Sequence, residues 1–314
     1  MFVASPFFMD INELAAGIRK SHDELRGRAA SMQELKLSVS GKAPSLSVCA
    51  VDGGLLYHRM HGVDIAVARA VAVNFTYSDG RPKSHEYFPS KFPSSSVEIK
   101  SSLDEHEANL FRSLARLKHE IECANGAVEK FRPELLLLDG SLLPVPSDIP
   151  AKNSQLRPVY DTLLETYQKL YSHDCLFCGV IKDSRARRLS QDCSDSVLCN
   201  YLLSEGERTK EFPYFEKPPS DKELGRLGSE IKVTYIKPSE NDIPLRLEIL
   251  GDVELASSHL MGLSAISKHF AYPAALVEAD MCAALDPVEI ESIERELQSK
   301  AGILPLRRNS RPFR

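Results

Sequence analysis

No apolar run in the 314-residue chain approaches the ~18 residues that cross a bilayer, so no segment reads as membrane-spanning. Met1 to Asp10 carry no basic stretch and no small-residue cleavage pattern, so no signal peptide is expected. Positive charge is in deficit too: the formal net charge is −5 with the nine histidines neutral. A chain that holds nucleic acid through phosphates unaided is usually basic. Any such role here therefore needs local basic patches, a partner or a metal. Seven cysteines, an odd number, suit reduced thiols and a cytoplasmic location better than a disulfide framework. Internal repeats and low-complexity tracts are absent. With 43% hydrophobic and 26% charged residues, what remains is an ordinary globular chain, long enough for one large domain or two smaller ones.

Two apolar stretches organise this chain. Leu135-Leu136-Leu137-Leu138 is too short for a helix core and reads as a strand buried on both faces, running into Asp139-Gly140. Upstream, Leu46 to Val51 repeats the pattern and runs into Asp52-Gly53-Gly54. Asp-Gly is common turn chemistry. Two such carboxylates at the ends of buried strands, however, lie where open α/β sheets place their chemistry.

The chain in order supports one sheet. Residues 11–37 look like an amphipathic helix, placed outside the sheet or against a partner. Val63 to Thr76 is β-branched and alternating, hence a strand, and another is expected near His85 to Phe88. Pro89 to Ser96 reads as a loop. Between Leu103 and Val128, Leu110, Leu114, Leu117, Ile121, Ala124 and Val128 recur at spacings of four and three, one buried helical face. That helix is the crossover of a β-α-β unit. Further elements are a helix at 155–171, a strand at 175–181, a short helix near 195–203, a strand pair at 231–236 and 245–250, and helices at 253–270, 274–285 and 287–299. The segment about 184–230 is otherwise irregular. The expected organisation is a single domain over 1–314, with an N-terminal helical segment (1–40), a core (41–285), and a C-terminal helix and basic tail (286–314).

Strand with Asp, two strands, helix, strand with Asp is the order of a ribonuclease-H-like mixed sheet flanked by helices, in which a helix carboxylate completes the site. Asp139 lies about six residues up its strand, roughly 20 Å, equivalent to about 13 residues of the antiparallel helix. Counting back from Phe131 reaches Lys118, which puts Glu120 and Glu122 in range. Glu120 flanks the buried stripe and Glu122 turns towards solvent, so Glu120 is preferred. Three converging carboxylates repel one another and raise their own pKa values. Oxygen-only ligands select Mg²⁺ or Mn²⁺, and two such ions serve phosphodiester hydrolysis.

Ala50-Val51-Asp52-Gly53-Gly54, Glu120, Leu137 to Leu142, Gly179 to Ser184 and Ala271 to Asp280 together resemble the NurA nuclease family. That resemblance implies Mn²⁺-dependent 5′-to-3′ exonuclease and single-strand endonuclease activity on DNA. It also implies a homodimer, and a role in end resection at double-strand breaks with a HerA-type hexameric ATPase. Asp52, Glu120 and Asp139 match metal ligands of the family. Asp280 falls where the family often has a histidine, a departure that leaves an oxygen ligand in place. Lys182 reads as a contact to the scissile phosphate or as an ordinary surface lysine. Tyr272 and Arg246 read as DNA contacts, although a Tyr before Pro is also common core packing. The acidic net charge suits a nuclease fed by a partner.

Other signals carry less. Cys175-Leu176-Phe177-Cys178 has zinc-knuckle spacing but no second CxxC, and reads as buried thiols. His58 and His61 read as hairpin surface. An actin- or sugar-kinase-like phosphotransferase would need a second copy of the domain and an adenosine-binding glycine pair, neither of which is found. A catalytically inactive scaffold that docks the ATPase is the non-enzyme alternative.

Overall fold

The structure is a computed structural model that describes residues 11–306 apart from 102, 265 and 266. Met1 to Asp10, where no signal peptide was expected, and the basic tail at 307–314 lie outside the described residues. Helix α1 (Ile11–Ala30) stops short of the expected residue 37, and a 3₁₀ turn at Gln33–Leu35 leads into β1 (Lys36–Ser38).

Strands β2 (Ser47–Met60) and β3 (Val63–Ser78) form a long hairpin, paired from Ser47 opposite Thr76 to Met60 opposite Val63. The expected Asp-Gly turn at Asp52 is therefore corrected, because β2 runs straight through Asp52, Gly53 and Gly54. What ends at Val51 is only its parallel pairing with the leucine strand. β4 (Arg81–Phe88) completes the meander. Beyond the loop comes a strand missed in the sequence, β5 (Ser96–Ser101), which pairs with residues 63–68 of β3. Its alternation of Val97 and Ile99 with polar residues is too short to separate from loop chemistry.

Helix α2 (Glu105–Phe131) starts at Asp104, whose carboxylate accepts the Glu107 N–H at 2.8 Å, and stops at left-handed Arg132 before Pro133. All six residues of the predicted stripe are buried. The leucine strand is β6 (Leu135–Asp139), followed by α3 (Arg157–Tyr171) and β7 (Leu176–Ile181). The short helix expected near 195–203 is α4 (Asp195–Leu202), and the rest of the segment expected to be irregular holds β8 (Glu207–Thr209), β9 (Phe212–Pro213) and α5 (Lys222–Gly228). β10 (Lys232–Lys237), β11 (Leu245–Leu250), α6 (Val253–Ser264), α7 (Ala274–Ala283) and α8 (Pro287–Ala301) complete the described chain.

The sheet runs β1-β8-β10-β11-β7-β6-β2-β3-β4, with β5 added to β3 and β9 to β10. Among the described strand pairs, only β2–β6 and β6–β7 are parallel. The section β4-β3-β2-β6-β7 is an antiparallel meander extended by two crossover strands beside its first strand, a ribonuclease-H-like sheet. Period-two alternation explains the leucine run. Leu136 and Leu138 join a core with Leu114 of α2 and Leu164 of α3, while Leu135 and Leu137 join Leu260 of α6 and Leu276 of α7. Helices cover both faces, so a strand at the centre must be apolar throughout.

Candidate active site

Val51 pairs with Leu138, so Asp52 and Asp139 are the next residues along two adjacent parallel strands. Alternation puts Asp52 on the face of Val48 and Ala50, and Asp139 on the face of Leu135 and Leu137, the side covered by α7. Asp280 on α7 comes within hydrogen-bonding reach of Asp52. That approach requires Gly54, where a Cβ would overlap the Ala283 carbonyl oxygen.

Glu120 arrives from the opposite face. A Cβ on Gly53 would lie 2.6 Å from its Cγ and 2.7 Å from its Oε1, so the glycine leaves the notch through which Glu120 reaches the edge of the sheet. Glu120 is buried and Glu122 exposed, as the helical wheel requires. Oε1 of Glu120 is buried without a hydrogen-bond donor.

Burial, then the charges of Asp139 and Asp280, push Asp52 up to about 7, against the pull of the Gly53 N–H at 2.8 Å. Burial pushes Glu120 up to about 8; Arg116 opposes the rise, and Asp52 and Asp139 add to it. The repulsion inferred from the sequence is present. Two basic residues stand against the cluster: Arg116 Nη1 lies 3.1 Å from Glu120 Oε1 and Lys182 Nζ lies 2.9 Å from Asp139 Oδ2. The one-turn spacing of Arg116 and Glu120 was the signal available for Arg116.

Tyr272 is buried, with its hydroxyl donating to Asp139 Oδ1 at 2.9 Å. Burial first, then the Asp139 charge, holds its phenol strongly in the neutral form. The Lys182 ammonium sits 4.4 Å from the centre of the Tyr272 ring. Arg246 is engaged elsewhere: its Nε and Nη2 donate to Glu248 Oε1 at 3.1 and 2.8 Å. Glu248, overlooked in the sequence, also accepts the Ser141 hydroxyl at 2.6 Å and the Leu142 N–H at 2.9 Å. It thereby braces the loop that leaves Asp139. An acidic residue inside Leu245-Arg246-Leu247-Glu248-Ile249-Leu250 was its only sequence signal. His58 Nε2 lies 3.3 Å from Glu294 of α8.

Among the described residues, no three His, Cys, Asp or Glu side chains stand ready-made around a metal position. Arg116 and Lys182 hold two of the carboxylates that would form one. The donor set nevertheless fits a hard divalent cation: Asp52, Glu120, Asp139 and Asp280 offer only oxygen, and Glu120 Oε1 lacks a donor.

A search of curated protein sequences gives no significant match. Among solved structures, the chain is similar to the NurA nuclease from Sulfolobus solfataricus, with a TM-score of 0.64 at 18% identity over 93% of this chain and 95% of that one. It is also similar to NurA bound to dAMP and manganese, with a TM-score of 0.60 at 11% identity over 94% and 98% of the two chains. The family model described as the NurA domain matches residues 46–285, the whole span from the first carboxylate strand to the end of α7, and the chain belongs to the NurA family.

Proposed function

We propose that this chain is a metal-dependent nuclease that hydrolyses DNA phosphodiesters. The observation that carries the reading is the cluster of Asp52, Glu120 and Asp139, two of them with raised pKa values and one with an oxygen lacking any donor. Such a cluster costs stability in the free protein and suits a cation. A NurA structure holding manganese and dAMP supports the same reading.

Asp52, Glu120, Asp139 and Asp280 are the residues that would hold Mn²⁺ or Mg²⁺. Ions held there, two in the fullest reading, would supply an activated water and stabilise the leaving oxygen. Tyr272 keeps Asp139 aimed through Oδ1, so its part is positioning. Lys182, more than a third exposed beside Asp139, would meet the scissile phosphate as a point charge. Arg246 acts through Glu248 and the Ser141 loop, and its part as a DNA contact becomes the weaker reading.

The family resemblance adds the finer proposals: 5′-to-3′ exonuclease and single-strand endonuclease activity, end resection with a HerA-type hexameric ATPase, a homodimer, and one nuclease domain over 1–314; the odd number of cysteines adds a cytoplasmic location. No helix among the described residues is long and apolar enough to cross a membrane.

The test is cleavage of end-labelled single- and double-stranded DNA with Mn²⁺, Mg²⁺ or EDTA, wild type beside Asp139→Asn. Cleavage that requires the metal and vanishes in the folded variant is the expected result. A wild-type chain that cuts nothing, even with the ATPase present, would turn the reading to the inactive docking scaffold.

A further inference from the structure

The Arg116–Glu120 pair differs from the Arg246–Glu248 and Arg208–Glu254 pairs. Arg246 donates two hydrogen bonds to Glu248 Oε1, the arginine side chain 14% exposed and the glutamate 3%. Arg208 likewise donates twice to Glu254, at 2.8 and 3.3 Å. Arg116 Nη1 comes as close, 3.1 Å, but the geometry forms no hydrogen bond, and Glu120 Oε1 stays without a donor. Charge alone holds the pair together. The guanidinium side chain is 39% exposed, so one side of it already faces water.

We propose that Arg116 is the counter-charge that a divalent cation displaces from Glu120, and that the released guanidinium then binds a phosphate of the DNA strand beside the cut. This rests on the nuclease reading above. Arg116 stands one helical turn from Glu120, so a change of rotamer suffices to leave the carboxylate. Its charge acts on Asp52 as well as on Glu120, so its release accompanies neutralisation of the whole cluster by metal. A planar fork of donors matches a phosphate, and a chain of net charge −5 needs its cations where the strand is cut. Lys182 flanks the carboxylates at Asp139, and Arg116 does so at Glu120. A phosphate placed at the cluster meets one cation on either side.

The experiment compares wild type, Arg116→Gln and Arg116→Lys. Calorimetric titration with Mn²⁺ alone, without DNA, reads the competition, and steady-state cleavage of a single-stranded oligonucleotide reads the phosphate contact. Arg116→Gln is expected to bind Mn²⁺ several-fold more tightly, and to raise KM several-fold while kcat falls less. Arg116→Lys keeps the charge and is expected to lie near wild type for Mn²⁺, with KM between the two. Unchanged or weaker Mn²⁺ binding in Arg116→Gln overturns the proposal, and so does an unchanged KM. Wild type that neither binds Mn²⁺ nor cleaves removes the nuclease reading itself, an outcome distinct from wild-type binding that the variant merely reproduces.

Discussion

Asp52 and Asp64 lie on the two paired strands of one hairpin, both buried, and their surroundings differ in kind. Asp64 is fully enclosed and accepts hydrogen bonds from the Tyr57 hydroxyl, Arg59 Nε at 3.2 Å and the Leu103 N–H at 2.7 Å. Asp52 accepts a single N–H, from Gly53, and faces Asp139 and Asp280. Glu248 and Glu120 repeat the contrast. Glu248 has a donor for each oxygen and Glu120 has an oxygen with none. Burial alone does not mark a functional carboxylate. Burial left unsatisfied does, because a stable fold otherwise removes such a cost.

The sharpest way to break this comparison is to neutralise one residue of each kind. Asp52→Asn should abolish cleavage and raise the melting temperature of the metal-free protein, since it removes a like charge from the cluster. Asp64→Asn should lower the melting temperature. Calorimetry of both variants beside the cleavage assay checks the pair, and a fall in melting temperature for Asp52→Asn would remove the contrast. Next in size, Glu248→Ala leaves Arg246 buried without its partner and should cost about 3–5 kcal/mol in urea unfolding. A loss under ~1 kcal/mol would mean that Glu248 does not brace the Asp139 loop.

The pH dependence sharpens the comparison further. Asp52 and Glu120 titrate near 4 when unfolded and at about 7 and about 8 when folded. The folded state therefore binds more protons over that window, and stability falls as pH rises through it. The stability of metal-free wild type relative to Asp52→Asn should decline between pH 5 and 9. Mn²⁺, whose binding releases the protons, should restore more at pH 8 than at pH 6. A difference between the two proteins that stays flat with pH would contradict the raised value of Asp52. The smallest effect is expected from exposed Glu122. Glu122→Gln should change stability by less than about 0.5 kcal/mol and leave cleavage at the wild-type rate, whereas a lost activity would reverse the choice of Glu120.

Much of the fold was legible because its elements carry strong periodicity. The stripe from Leu110 to Val128 could be nothing but one helical face, and the four leucines of β6 supply two cores at once. Strand β5 was not legible, since its alternation spans only six residues. Nor was the passage of β2 through Asp52-Gly53-Gly54, where local turn chemistry is overruled by pairing with β3. Of the candidate site, the convergence of Asp52, Glu120 and Asp139 was foreseeable from two apolar segments and a helical wheel, although β2 does not end at Asp52. Arg116 and Glu248 were not, because each acts through a partner that only packing identifies.

Residue spacing along the chain set which positions are apolar and at what period, and so put Asp52 and Asp139 just past two apolar strand segments. Local pattern encodes such choices because side-chain direction follows residue spacing. Only the tertiary structure decided that Glu120 enters through the notch at Gly53, that Asp280 is carried in on α7, and that Arg116 and Lys182 stand against the carboxylates. These contacts join residues far apart along the chain or depend on how side chains turn in the packed interior. Their energies come from burial and from charge at close range, which no local pattern records.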